Sequence, residues 1–234
     1  MAYMTIRRIV GVAFHLLWRP RIIGLEHVPE AGPVILASNH LSFIDSVVIP
    51  LAVPRRVTFL AKREYFEGTG LRGWRNRLFF TSIGAVPVHR EGSGRDAMDA
   101  LETAREVLDG GGAFGIYPEG TRSLDGRLYR GRTGVGWLAL ATEAPVVPVA
   151  LAGTDRVQPV GARLPRVHRL RISFGRPLDP KPFAARVAAS GGAGRARREI
   201  TDQVMDAIAA MSGQERAPGY NTPPPEDEGD PVVG

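Results

Sequence analysis

A histidine and an aspartate lie five residues apart in ILASNHLSFIDS, residues 35–46. The apolar run before them predicts a buried strand that ends just before Asn39 and His40. Asp45 would then lie about one helical turn further on, in the following helix. A carboxylate there can hold one imidazole nitrogen and leave the other to act as a general base. The alternative is a helix start whose polar residues make only capping and other local contacts.

A second loop with chemically useful side chains, IYPEGTRSLDG, covers residues 116–126 and also follows an apolar run. Glu119 supplies a carboxylate, Thr121 a hydroxyl, and Arg122 a guanidinium that can hold a phosphate with two hydrogen bonds. Gly120 would let the backbone approach a ligand closely. The competing interpretation is a surface loop with a Glu–Arg pair.

Two further cations follow predicted strands. Lys62 ends VTFLAK, and Arg90 ends GAVPVHR. In a parallel sheet the carboxyl ends of the strands share one edge, where ligands bind. A general base at His40 and cations along this edge predict a pocket for a phosphorylated alcohol.

The elements that must position these residues alternate between strand and helix along the chain. This alternation predicts an α/β fold in a single domain, residues 23–212, with a largely parallel central sheet flanked by helices. Two helices are clearest, at residues 93–109 and 195–211. Residues 213–234 are rich in proline, glycine and acid, so we expect a disordered tail there.

The first 22 residues predict an amphipathic helix, clearest over residues 3–18, with apolar side chains on one broad face and arginines on the other. GLRGWRNRLFF, residues 70–80, interleaves arginines with aromatic residues. Both segments suit a membrane interface, and both could instead pack on the domain itself. The longest apolar run has only ten residues, residues 9–18, where a span needs about 20. We therefore expect a peripheral, monotopic protein on the cytoplasmic face of a membrane.

The composition narrows the chemistry and the partners. The net charge is +6, and the acidic stretch 215–234 leaves +10 on residues 1–214, which favours an anionic partner. No nucleic-acid motif is recognisable, so a membrane or a phosphorylated molecule is the better match. The chain has no cysteine and no G-x-S-x-G sequence, so the histidine would deprotonate a substrate hydroxyl. One histidine and one aspartate make a poor metal site, and no metal is expected.

These motifs also resemble a family. NHLSFID resembles the N-H-x-x-x-x-D signature of the glycerolipid acyltransferases, the 1-acylglycerol-3-phosphate acyltransferase group. YPEGTRS is similar to their second hallmark, which usually begins with phenylalanine. GAVPVHR and VVPVAL resemble the intervening block and the closing strand. The order and the separations fit, over roughly residues 20–155.

The resemblance implies transfer of a fatty acyl group from acyl-CoA or acyl-carrier protein to 1-acylglycerol 3-phosphate. The product would be phosphatidic acid for phospholipid biosynthesis, and no cofactor is implied. His40 would be the general base and Asp45 would orient it. The residues implied to hold the acceptor phosphate are Lys62, Arg90 and Arg122. The residues implied to shape the site are Asn39, Glu119, Gly120 and Thr121.

Other functions fit the same residues. The acceptor could be glycerol 3-phosphate, another lysophospholipid or a glycolipid. Water could replace the acceptor, which would make the chain a hydrolase. A third alternative is a non-catalytic protein that binds membranes or nucleic acid, but it would give the His40–Asp45 pair no chemical role.

Overall fold

The computed structural model describes residues 11–12, 14–62, 64–67, 69–70, 73, 84–88, 94–162 and 164–222. Within these residues seven strands form one sheet, in the order β1-β7-β6-β2-β5-β3-β4. The strands are β1 (Arg21–Ile23), β2 (Val34–Ser38), β3 (Val57–Lys62), β4 (Ala85–Val88), β5 (Ala113–Ile116), β6 (Val146–Ala152) and β7 (Arg171–Phe174).

Five neighbouring strands, from β6 through β2, β5 and β3 to β4, run parallel to one another. β7 pairs with β6 antiparallel, and β1 pairs with β7 parallel, so these two strands run the opposite way. The predicted α/β fold with a largely parallel sheet is confirmed. Its five parallel strands all end at one edge, and there His40 and Glu119 follow β2 and β5.

Helices connect the strands and cover both faces of the sheet. They are α1 (Asp45–Ala52), α2 (Glu64–Glu67), α3 (Gly94–Asp109), α4 (Gly134–Thr142), α5 (Thr154–Val157), α6 (Lys181–Ser190) and α7 (Ala193–Ser212). A short 3-10 helix, Leu25–His27, follows β1. α1 packs on one face of the sheet, and α3, α4 and α7 pack on the other.

The burial pattern of the central strand β2 shows that the sheet is covered on both faces. All five of its residues are buried. Val34 and Leu36 belong to the apolar cluster that includes α1, while Ile35 and Ala37 belong to the cluster on the opposite face. Successive side chains of a strand point to opposite faces, so a strand covered on both sides must be apolar throughout.

The N-terminal helix is described only in part. Residues 11–12 and 14–18 are helical, and residues 1–10 and 13 lie outside the described residues. Phe14 is fully buried in the core, whereas Val12, Leu16 and Leu17 are exposed. The predicted domain boundary between residues 22 and 23 falls inside β1, which belongs to the sheet. In the described part of the chain no helix is long and apolar enough to cross a membrane.

Of the segment 70–80, only residues 70 and 73 are among those described. The prediction of an interfacial helix there falls outside the described residues.

The predicted tail is ordered in its first part. Residues 213–222, here called the C-terminal strap, run along the loop that follows β5. Leu128 N donates to Glu215 O at 2.8 Å, and Ala217 N donates to Leu128 O at 2.9 Å. The prediction of disorder is therefore wrong for residues 213–222, because backbone pairing offsets their poor apolar content. Residues 223–234 lie outside the described residues.

Candidate active site

The end of β2 presents His40 at the carboxyl edge of the sheet. Two contacts with the loop after β5 fix its backbone. His40 N donates to Glu119 Oε1 at 3.1 Å, and Ser123 N donates to His40 O at 2.7 Å. The two sequence motifs therefore meet through their main chains, as the shared sheet edge predicted.

His40 and Asp45 form a hydrogen-bonded pair. His40 Nδ1 lies 2.9 Å from Asp45 Oδ2, and the side chains are 15% and 0% exposed. An ionised carboxylate can only accept, so Nδ1 carries a proton. In the neutral ring the basic lone pair is then on Nε2. The arrangement suits a general base that is reached from solvent and oriented from within the protein.

The carboxylate of Asp45 also accepts two backbone hydrogen bonds. Leu41 N donates to Oδ2 at 2.7 Å and Ser42 N at 2.8 Å. Asp45 is the first residue of α1, so it closes the turn that joins β2 to this helix. The same oxygen therefore makes both the local contacts of the turn before α1 and the contact with the imidazole, which the sequence left as alternatives.

The ring of Tyr117 supports the imidazole from one side. The ring centroids of His40 and Tyr117 are 3.8 Å apart, and the planes differ by 8°. The Tyr117 hydroxyl and Ser46 Oγ are 2.8 Å apart, within hydrogen-bond distance. Tyr117 follows β5 directly, so the sheet positions both members of the stack.

Glu119 is fully buried beneath the site. Its Oε1 accepts from His40 N and its Oε2 accepts from Tyr129 N at 2.9 Å. Burial raises the pKa of Glu119 to about 7. The two backbone amides that donate to the carboxylate act in the opposite direction and lower the pKa, but burial has the larger effect. The resemblance implied that this carboxylate shapes the substrate site; its two hydrogen bonds show that it joins the two motifs through their backbones.

The loop after Glu119 carries the remaining predicted residues of that motif. Gly120 has a φ of +83°, which other residues rarely adopt, and a Cβ there would lie 3.0 Å from Arg132 Nε. Thr121 and Arg122 are half-buried at the surface of the loop. Arg122 is thus partly exposed to solvent, and it directly precedes Ser123, whose amide bonds His40 O.

Asn39 is fully buried and turned away from solvent. Its Nδ2 donates to Leu151 O at 3.0 Å and to Gln214 Oε1 at 2.7 Å, and its Oδ1 accepts from Leu151 N at 2.8 Å. All the hydrogen bonds of this amide go to the protein. Asn39 therefore joins β2 to β6, and its predicted place in the substrate site stays a prediction.

The two remaining predicted cations are only partly described. Lys62 is the last residue of β3 and lies at the same edge of the sheet, but its side chain is outside the described residues. Arg90 also lies outside them. Their assignment to the phosphate site stays a prediction.

Sequence reasoning missed three residues that contact the site. Tyr117 lies inside the second motif, and an aromatic residue at a strand end next to charged groups was a usable signal. Gln214 and Asn221 lie in the strap, and nothing in its composition indicated them. Asn221 Nδ2 donates to Arg122 O at 2.9 Å.

Comparison with known proteins agrees with these motifs. A family model described as acyltransferase matches residues 19–152. A chloroplastic 1-acyl-sn-glycerol-3-phosphate acyltransferase of Brassica napus is 32% identical over 153 residues, which are 65% of this chain and 42% of that protein. The human alpha form is 28% identical over 137 residues, 57% of this chain and 46% of that protein. The chain thus spans less than half the length of these relatives.

A solved structure extends the likeness beyond the matched segment. The crystal structure of the 1-acyl-sn-glycerophosphate acyltransferase from Thermotoga maritima superposes with a TM-score of 0.66 at 25% identity. The alignment covers 89% of this chain and 79% of that one. The family model covers more than half of the chain and includes both motifs of the site. The chain belongs to the acyltransferase family.

Proposed function

We propose that this chain transfers a fatty acyl group from an acyl thioester to the hydroxyl of 1-acylglycerol 3-phosphate, giving phosphatidic acid. The observation that carries the proposal is the bond from His40 Nδ1 to the buried Asp45 carboxylate beside the arginine-bearing loop. The relatives from Brassica napus and human carry the name of this reaction. A general base near a cation suits a substrate that carries both a hydroxyl group and a phosphate group.

The proposed chemistry needs no covalent enzyme intermediate. His40 Nε2 accepts the proton of the acceptor hydroxyl as its oxygen bonds to the thioester carbon. The carbon–sulfur bond then breaks, and the leaving thiolate takes the proton from the imidazolium. The Asp45 carboxylate stabilises the imidazolium while it exists. Asp45 and the Tyr117 stack hold the ring in one orientation throughout.

Arg122, Arg90 and Lys62 are proposed to bind the acceptor phosphate. Arg122 is half-buried on the loop that contacts the His40 backbone, so a phosphate held there lies near the base. A guanidinium can hold a phosphate with two parallel hydrogen bonds. Replacing Arg122 by alanine is expected to raise KM for a phosphorylated acceptor more than for an uncharged one.

An apolar surface supports the proposal that this chain binds peripherally to a membrane. Trp18 Nε1 donates to Arg166 O at 2.8 Å and joins the N-terminal helix to the segment after α5. Both elements expose apolar side chains, here called the apolar patch: Val12, Leu16, Leu17, Val160, Leu164 and Val167. Arg19, Arg166 and Arg169 are exposed in the same two segments. Apolar side chains with arginines suit an anionic lipid surface.

Charge placed on the patch tests the membrane proposal. Leu164→Asp is expected to reduce binding to phosphatidylglycerol vesicles in a sedimentation assay. Met98→Asp is the matched control, because Met98 is an exposed apolar residue of α3, which packs on the opposite face of the sheet. Equal binding by both variants would contradict the proposal. Deleting residues 1–18 is a poorer test, since it removes the buried Phe14.

The reaction itself is tested with purified protein, palmitoyl-CoA and a panel of lysophospholipids, with products followed by mass spectrometry. The expected result is a diacyl product from 1-acylglycerol 3-phosphate that is lost in His40→Ala. Free CoA with only fatty acid would instead indicate a hydrolase. Activity on a different acceptor would correct the substrate. If no CoA is released, the panel is repeated with palmitoyl-acyl-carrier protein as donor.

A further inference from the structure

The C-terminal strap, residues 213–222, lies outside the segment that the family model matches. It nevertheless contacts both motifs of the site. Gln214 Oε1 accepts from Asn39 Nδ2 at 2.7 Å, and Gln214 Nε2 donates to Gly126 O at 2.8 Å. One side chain therefore links the residue before His40 to the loop that follows Arg122.

Further along, the strap pairs with that loop through its backbone. Leu128 lies in a parallel bridge with Arg216, and Arg130 N donates to Gly219 O at 2.9 Å. The Tyr220 ring lies under the guanidinium groups of Arg130 and Arg132, at 5.3 and 5.6 Å. The strap thus follows the loop from residue 126 to residue 132.

The last contact is the one nearest to the proposed phosphate site. Asn221 is buried, with 7% of its surface exposed, and its Nδ2 donates to Arg122 O at 2.9 Å. Arg132 Nη2 donates back to Asn221 O at 3.3 Å. The carbonyl of Arg122 is therefore fixed by a residue 99 positions away in the sequence.

We propose that Gln214 and Asn221 are positioning residues of the active site: Gln214 holds the His40 turn against the loop, and Asn221 holds the backbone of Arg122. Backbone pairing alone would attach the strap to the domain. The two amide side chains add contacts to Asn39, which adjoins the base, and to the carbonyl of Arg122, the proposed cation. The strap is then part of the machinery that aligns acceptor and base.

The two residues are expected to affect different kinetic constants. Asn221→Ala and the isosteric Asn221→Asp both remove the donor to Arg122 O, so KM for 1-acylglycerol 3-phosphate rises about tenfold while kcat stays within about twofold. Gln214→Ala lowers kcat about tenfold with little change in KM, because it releases the His40 turn. Gln214→Glu keeps an acceptor for the Asn39 amide and restores part of kcat.

A stability control separates positioning from folding. Val204→Ala opens a cavity at a fully buried position of α7 that belongs to the apolar core. An unfolded fraction lowers apparent kcat but leaves KM unchanged, so KM is the decisive constant for Asn221. Fractions folded are measured by circular dichroism at the assay temperature. Unchanged KM in both Asn221 variants, or an equal rise in Val204→Ala, overturns the inference.

The kinetic test rests on the proposed function, so a second measurement is chosen that does not depend on enzymatic activity. Hydrogen exchange is measured at the amides of Ser123 and Tyr129, which bond His40 O and Glu119 Oε2. Exchange about tenfold faster in the Asn221 and Gln214 variants than in Val204→Ala supports the inference. Unchanged exchange overturns the inference, whether or not the wild-type protein is active. A wild-type protein that acylates none of the acceptors would separately reject the proposed function.

Discussion

The imidazole of His40 lies almost flat on the ring of Tyr117, with the ring centroids 3.8 Å apart and the planes 8° from parallel. Asp45 holds the same imidazole at Nδ1, and Ser46, the next residue, lies within hydrogen-bond distance of the Tyr117 hydroxyl. The four side chains form a closed set of contacts between α1 and the end of β5. The stack limits tilting of the ring, and the carboxylate limits its rotation.

Tyr117→Phe and Tyr117→Leu separate the stack from the hydroxyl. Phenylalanine keeps an aromatic face beneath His40 and removes the hydroxyl that contacts Ser46, so kcat is expected to stay within about threefold. Leucine removes the flat support, and kcat is expected to fall about tenfold or more with KM little changed. Steady-state kinetics on both variants measure the difference. Equal losses in the two variants would show that the hydroxyl, and not the stack, matters.

The sequence allowed much of this site to be predicted because its main contacts are local or dictated by the sheet. His40 and Asp45 are five residues apart, so a strand followed by a helix turn almost suffices to pair them. The second motif meets the first because β2 and β5 are parallel neighbours. The alternation of strands and helices along the sequence predicts a parallel sheet, and therefore a shared edge at which both motifs lie.

Other contacts of the site could not be predicted from the types of the residues. Asn39 and Glu119 are polar residues in the motifs, and nothing in their type shows that they point into the protein. The bond from Asn39 to Gln214 joins residues 175 positions apart, and no periodicity records such a contact. The strap was expected to be disordered because its composition lacks a core, whereas backbone pairing with the loop orders it.

Asn39→Ala is expected to be a stability variant. The substitution leaves the N–H and C=O of Leu151 and the Gln214 side chain without their partner in a buried place. Each buried polar group left unpaired costs about 1–3 kcal/mol, so the free energy of unfolding should fall by about 2–4 kcal/mol. Urea unfolding followed by circular dichroism measures it.

Ser190→Ala is a suitable comparison for that experiment, because Ser190 is an exposed residue at the end of α6. It should change the free energy of unfolding by less than about 0.5 kcal/mol. A loss as small as this in Asn39→Ala would show that the Asn39 amide does not hold β2 to β6.

Glu119 gives the protein a specific dependence of stability on pH. Its pKa rises from 4.5 to about 7 because the carboxyl is buried. The native state therefore binds a proton more tightly than the unfolded state does. The stabilisation from Glu119 is complete below pH 4.5 and is lost as the pH rises to about 7, a loss of about 3 kcal/mol.

Glu119→Gln removes this titration. The free energy of unfolding of the wild type, minus that of the variant, should fall between pH 5 and pH 7 and be constant above pH 8. Urea unfolding of both proteins across this range tests it, and the subtraction cancels the groups that they share. A difference that is constant, or that grows with pH, would show that Glu119 is ionised throughout the range.

Asp45→Asn isolates the charge of the carboxylate from its hydrogen bonds. Asp45 Oδ2 accepts from the imidazole and from the backbone of Leu41 and Ser42, while Oδ1 has no hydrogen-bond partner among the described residues. An asparagine oxygen in place of Oδ2 can accept the same three bonds. The imidazole should keep its orientation and lose only the negative charge that stabilises the imidazolium.

We therefore expect kcat to fall about 10²- to 10³-fold in Asp45→Asn, with KM for both substrates little changed. Asp45→Ala should be slower still and less stable, because three donors lose their acceptor at once. Steady-state kinetics on the two variants and on His40→Ala, each corrected for the folded fraction, give the comparison. If Asp45→Asn keeps the wild-type rate, charge on Asp45 plays no part in the reaction and its role is confined to holding the turn before α1.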